Sequence, residues 1–129
     1  MIKMNGYVGN IEEETKKNTN FRKVLFTGTH TQLVVMSLKP GEDIGMEVHE
    51  NVDQFFRIEE GQVKVIIDGE EQVVGDDFVV IVPAGSEHNV VNVSNDKDLK
   101  LYTLYSPPNH PEGTIHATKA DAEKAEHHE

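Results

Sequence analysis

Cysteine is absent from the 129-residue chain. That excludes disulfides, thiolate nucleophiles and sulfur-ligated metals together, so any metal here must use nitrogen and oxygen donors. Positive charge is scarce as well: 12 Lys and Arg stand against 23 Asp and Glu, for a formal net charge of -11. No basic block interrupts the acidic excess, so the surface repels phosphate backbones and anionic lipid, and nucleic acid is not an expected partner. Long apolar runs are missing too. Nothing approaches membrane-spanning length, and the start MIKMNGYVGNIEEETKK has no apolar leader segment. A soluble, cytoplasmic protein with no membrane partner is expected. The length suits one domain, 1–129, with one site.

What is present changes along the chain. In residues 1–20, Asn10 followed by Glu13 reads as a capping box opening a short helix, with Glu12–Lys16 and Glu13–Lys17 as i,i+4 pairs. From Phe21 to Tyr105 the vocabulary becomes Val, Ile, Leu, Phe and Thr in short runs closed by Gly, Pro, Asn or Asp. That is the pattern of many short strands, an all-β sandwich or barrel. The expected strands are FRKVLF, QLVVMSL, GMEVH, QFFRIE, QVKVII, EEQVV, FVVIV, HNVVNV and LKLYTLY. Asp68-Gly69 marks a hairpin, because a type I′ turn needs positive φ at both central residues. Residues 106–129 open with SPPNHPEG, which reads as an ordered loop or an extended tail because its prolines remove ladder donors. Thr118 three residues before Asp121 then caps a short C-terminal helix.

Chemistry concentrates in GEDIGMEVHENVDQFFRIEEG, Gly41 to Gly61. Residues two apart on a strand share a face, so Glu47 and His49 project together if MEVHE is extended. Gln54 opens the next strand and brings an amide oxygen within range. The turn PAGSEHN, 83–89, delivers His88 inward as a fourth donor. Taken alone, Glu47 and His49 also read as an exposed strand face.

Gly41, Glu47-x-His49, Gln54 and Gly61 resemble the first cupin motif, usually Gly-x5-His-x-His-x(3,4)-Glu-x6-Gly. Gly75, Pro83, Gly85, His88 and Asn92 resemble the second, usually Gly-x(5-7)-Pro-x-Gly-x2-His-x3-Asn. The resemblance implies a double-stranded β-helix, a jelly-roll barrel with short N-terminal and C-terminal helices. It also implies one metal ion near the barrel mouth, held by Glu47, His49, Gln54 and His88. Here Glu47 stands where the pattern has its first histidine, and Gln54 where it has glutamate. The set of two histidines, a glutamate and a glutamine is similar in kind to that of cupin-type phosphomannose isomerases, and small uronate-isomerising cupins also carry glutamine at the Gln54 position.

Such donors suit zinc, manganese, iron(II), cobalt or nickel. The expected function is metal-dependent isomerisation or tautomerisation of a small sugar or keto acid. The alternatives are an iron-dependent dioxygenase on the same residues and a ligand-binding cupin without turnover, in which the two substitutions mark loss of the metal. No general base is named. A homodimer through edge strands is expected, since pairing covers exposed ladder groups. Gly61, Gly75 and Gly85 read as turn residues, and Asn92 as a residue that satisfies backbone groups. Phe56 shares the face of Gln54 and Ile58. Met36, Met46, Tyr102 and Tyr105 belong to core, rim or pocket mouth. His30 reads as exposed, His110 and His116 either close over the mouth or stay free, and His127 and His128 belong to the solvent-facing tail.

Overall fold

The computed structural model describes residues 5–127. The chain begins with α1, Ile11–Lys17. Asn10 accepts from Glu13 N at 3.0 Å, and Lys16 pairs with Glu12. Lys17 pairs with Glu14 at i,i+3, not with Glu13 as the i,i+4 spacing suggested. Buried Thr15, whose hydroxyl returns to Ile11 O, marks the side on which α1 packs.

Ten strands follow: β1 Arg22–Thr27, β2 Gln32–Leu38, β3 Glu47–Val48, β4 Asp53–Glu60, β5 Val63–Ile67, β6 Glu70–Val74, β7 Val79–Val82, β8 Glu87–Asn92, β9 Leu99–Ser106 and β10 Ile115–His116. Helix α2, Lys119–His127, closes the described chain, and Thr118 Oγ1 accepts from Asp121 N at 3.1 Å as a cap should. The tail reading of His128 lies outside the described residues, as does that of the His127 side chain.

The strands form two antiparallel sheets, one ordered β10-β1-β2-β9-β4-β7 and the other β3-β8-β5-β6. This is the expected all-β double-stranded β-helix, and each layer buries one face against the other. Alternation sets which side chains go inward. Gln54, Phe56 and Ile58 on β4 are buried while Phe55 and Arg57 are only partly so, and Val63 and Val65 on β5 are buried beside partly open Lys64. The β5–β6 hairpin turns at Asp68-Gly69 with φ of 49° and 84°, the left-handed values that the dipeptide predicted. Gly61 is fixed for a second reason: at φ 125° a Cβ would also meet Leu99 at 3.1 Å.

Three differences from the sequence expectation have physical causes. The strand expected over GMEVH shrinks to Glu47–Val48, because Gly45 takes φ 92° and breaks the extended run. Strand β7 begins at Val79, after the positive-φ turn residue Asp77 and after Phe78, whose N donates back across the turn to Gly75 O although its carbonyl already accepts from Ile58 N of β4. The two-residue β10 pairs Arg22 with His116 and Lys23 with Ile115, so the segment after the prolines returns to extend the first sheet.

Asn92 does what was expected of it. Its amide donates to Leu38 O and Lys97 O, and its oxygen accepts from Ser94 N. Among the described residues no helix is long and apolar enough to cross a membrane.

Candidate metal centre

Strands β3 and β8 pair with Glu47 directly opposite His88. Opposed residues of an antiparallel pair share a face, so carboxylate and imidazole point the same way. His49 lies one residue past β3, and its Nε2 is 3.0 Å from Glu47 Oε2. Gln54 arrives from the other sheet as the second residue of β4. Its Oε1 lies 3.2 Å from His88 Nε2, and its Nε2 donates to Thr103 Oγ1 at 3.0 Å.

Main-chain bonds fix the two motifs against each other. Gly85 N donates to His49 O at 2.9 Å, and Ala84 N donates to Asp53 Oδ1 at 2.9 Å. The turn that launches β8 is thereby pinned to the bend that carries His49 and Gln54. Gly85 holds φ 88° there, a left-handed value that glycine adopts without steric cost.

All four sequence-predicted residues therefore converge. One donor atom each from Glu47, His49 and His88 lie within 4.8 Å of one another. Donors sharing an ion at about 2.1 Å sit roughly 3–4 Å apart, so the set fits a first-row divalent ion. His88 supplies a sharper observation. A neutral imidazole has one ring proton, yet both His88 nitrogens face oxygens, and Nδ1, 3.2 Å from Ser86 O, can use it on that carbonyl. With the proton there, Nε2, 3.2 Å from Gln54 Oε1, offers a lone pair toward an oxygen that also offers one; with the proton on Nε2, the same pair is an ordinary hydrogen bond. Two acceptors aimed at one point are what a shared cation requires, and the Nδ1–carbonyl bond is the usual orienting contact of a metal-bound histidine. His88 and Gln54 are fully buried, while the Glu47 and His49 side chains keep 22% and 15% of their surface open, which leaves that side approachable.

Sequence reasoning left Tyr105 among core, rim and mouth and left His110 undecided; both reach the site. Tyr105 is buried, its ring lies edge-on 6.0 Å from His49, and its hydroxyl is 3.2 Å from His110 Nε2. Burial pushes the Tyr105 hydroxyl up to about 12, Glu47 adds to the rise, and Arg22 opposes it. Burial, then Arg22 and His116, push the His110 imidazole down to about 3. Gln32 holds the proline-containing loop in place: its Oε1 accepts from Asn109 N and His110 N, and its Nε2 donates to His110 O and Thr27 Oγ1. No local motif announces that clamp.

His30 is exposed, Met46 is exposed, Met36 is core and Tyr102 is half-buried. A groove of about 490 Å³ between β6 and β7 contains none of the four candidate ligands. A shallower recess of about 350 Å³ beside α2, lined by Met46, Lys119 and Glu126 among others, does reach Glu47.

A family model described as "Cupin domain" matches residues 34–105, which include both motifs from Gly41 to Asn92. The chain is 52% identical over 126 residues to the "Uncharacterized protein YrkC" of Bacillus subtilis (strain 168), covering 93% of this chain and 67% of that protein. A crystal structure of a Bacillus halodurans protein superposes with a TM-score of 0.90 at 46% identity, covering 93% of this chain and 95% of that one. The structure of KdgF from Halomonas sp. superposes with a TM-score of 0.63 at 22% identity over 68% of this chain and 78% of that one, a likeness of fold alone. On these matches the chain belongs to the cupin domain family.

Proposed function

We propose that the protein binds one divalent transition metal through Glu47, His49, Gln54 and His88 and isomerises or tautomerises a small oxygen-rich substrate there. The observation that carries the metal site is the convergence of the donors: one atom each from Glu47, His49 and His88 lie within 4.8 Å of one another, and Gln54 Oε1 lies 3.2 Å from His88 Nε2 in a buried position. When bound, the ion supplies a Lewis acid that polarises a substrate carbonyl.

The surrounding side chains favour proton transfer. Tyr105 keeps its hydroxyl proton because burial raises it, and holds that proton inside the barrel near His49. His110, kept neutral by burial and Arg22, sets an imidazole nitrogen 3.2 Å from the same oxygen. A phenol and an imidazole in contact can deliver and recover a proton without a charged group free in the interior. Phe56, Ile58 and Leu101 fill the barrel below and exclude water.

The test is proton exchange in deuterated solvent, adjacent to the carbonyl of simple hydroxyaldehydes and keto acids, followed by NMR. Metal-replete protein should catalyse exchange, and His49→Ala and His88→Ala should abolish it. Oxygen consumption by the iron form with no such exchange would replace this reading with the dioxygenase one. We also propose a homodimer, supported by the exposed Val79 and Ile81 of the edge strand β7 and by the exposed Phe78 just before it.

A further inference from the structure

Arg22, the first residue of β1, is only 3% exposed. It shares the buried face of β1 with Val24. A guanidinium so placed is expected to meet a carboxylate, because an unpaired buried charge is costly and arginine is rarely buried without a partner. Among the described residues, no carboxylate lies within ion-pair distance of it; Arg57 and five lysines account for the cationic partners of the acidic groups, apart from the His49 contact with Glu47.

Its described neighbours are an imidazole and aromatic rings, with no carboxylate among them. One terminal nitrogen donates to His116 Nδ1 at 3.2 Å, and the guanidinium carbon lies 5.4 Å from the centroid of the Phe21 ring. The Tyr105 hydroxyl lies near enough for the guanidinium charge to act on it. Its Nε–H is buried and makes no hydrogen bond. An unsatisfied donor on a buried cation is a rare and expensive combination.

Position gives this group a meaning. Tyr105 lies within the electrostatic reach of the Arg22 guanidinium and faces His49 with its ring, so it stands between the cation and the candidate metal ligands. The positive charge of Arg22 helps burial hold His110 uncharged. In a chain with a formal charge of -11, a cation kept inside without a carboxylate is available to an incoming anion.

We propose that Arg22, together with the Tyr105 hydroxyl, receives the oxyanion of the substrate, a carboxylate or phosphate group whose remaining oxygens face Glu47, His49, Gln54 and His88. This inference rests on the proposed reading of those four residues as the reacting end of the site. The unoccupied Nε–H and a terminal N–H of the same guanidinium form the fork that carboxylate and phosphate oxygens fit. The substrate class is thereby narrowed from any small oxygen-rich molecule to an anionic one.

The test titrates pyruvate and inorganic phosphate, with neutral dihydroxyacetone as control, into zinc-reconstituted protein. The readouts are the NMR cross-peak of the Arg22 Nε–H in the wild type and the binding heat in wild type and Arg22→Gln, with metal content measured for every sample. At least one of the two anions should move the cross-peak, and Arg22→Gln should weaken its binding at least tenfold, while dihydroxyacetone leaves the cross-peak in place. Response to pyruvate alone or to phosphate alone identifies the oxyanion. Equal anion binding by wild type and Arg22→Gln, or a cross-peak that neither anion moves, would overturn the proposal. The wild-type cross-peak decides the matter if Arg22→Gln does not fold. Stoichiometric zinc with an unmoved cross-peak sinks this inference alone, whereas anion binding through Arg22 in protein that takes up no zinc sinks the metal reading alone.

Discussion

Replacing Gln54 by leucine separates a ligand from a structural residue. The side chains are close in size, so the buried volume is kept. In the metal-free protein the change removes the bond to Thr103 Oγ1 and the contact with His88. The first loss costs about 1 kcal/mol, offset in part by burying an apolar side chain. The second costs little if two lone pairs face each other there. An unfolding entropy of about 2.1 cal/mol/K per residue over 129 residues gives about 0.27 kcal/mol/K, so metal-free Gln54→Leu should melt within about 4 °C of wild type. Metal changes the comparison. An ion at 100 times its Kd stabilises the native state by about 2.7 kcal/mol, a rise of about 10 °C on the same scale, and each tenfold loss of affinity removes about 5 °C of that rise. Differential scanning calorimetry of both proteins, with and without zinc at one fixed concentration, reads all four melting temperatures. An undiminished zinc-induced rise in Gln54→Leu would show that Gln54 is no ligand. A metal-free variant melting more than about 10 °C low would show that the residue is structural, because the contact with His88 would then be stabilising.

Three further outcomes follow from the same geometry. Burial raises the Asp43 carboxyl, but hydrogen bonds from Asn89 and Lys119 more than reverse this, so its folded value lies below its unfolded one. Its stabilisation is therefore complete above the unfolded value and fades as pH falls through the folded one; Asp43→Asn should flatten the acid limb of a melting-temperature profile below about pH 4. His110 is held at about 3, so between there and its ordinary value near 6.5 the unfolded chain binds a proton that the native chain does not. Native stability falls through that window as pH drops, and His110→Phe should gain on wild type across it in urea titrations. Light scattering should report a dimer, and Ile81→Lys, which places a charge on the exposed face of β7, should give monomers with unchanged circular dichroism.

The barrel is legible in the sequence because most of its signals are local. Alternation marked Gln54, Phe56 and Ile58 as one face, Asp68-Gly69 announced its turn, and two short glycine-bracketed motifs carried the four candidate ligands. What escaped depends on contacts distant in sequence. Arg22 and His116 are 94 residues apart, and neither a single arginine in RKVLF nor a two-residue strand has a periodicity to read. The same holds for Gln32, whose amide meets His110 across 78 residues. Tyr105 sits on the inward face of β9 with Leu99, Leu101 and Thr103, and a tyrosine in that pattern is first a core residue. Only the proline-containing loop, folded back over the barrel, makes it part of the site.

Elemental analysis of protein purified without a histidine tag or a nickel column bears most directly on the metal centre. Zinc, manganese, iron, cobalt and nickel would be measured per mole of chain in wild type and in the His49→Ala, His88→Ala double variant. The account predicts about one equivalent in the wild type and none in the variant, since each loss removes a nitrogen donor from a set of four. Metal retained in the double variant, or none taken up by the wild type even after reconstitution, would contradict it.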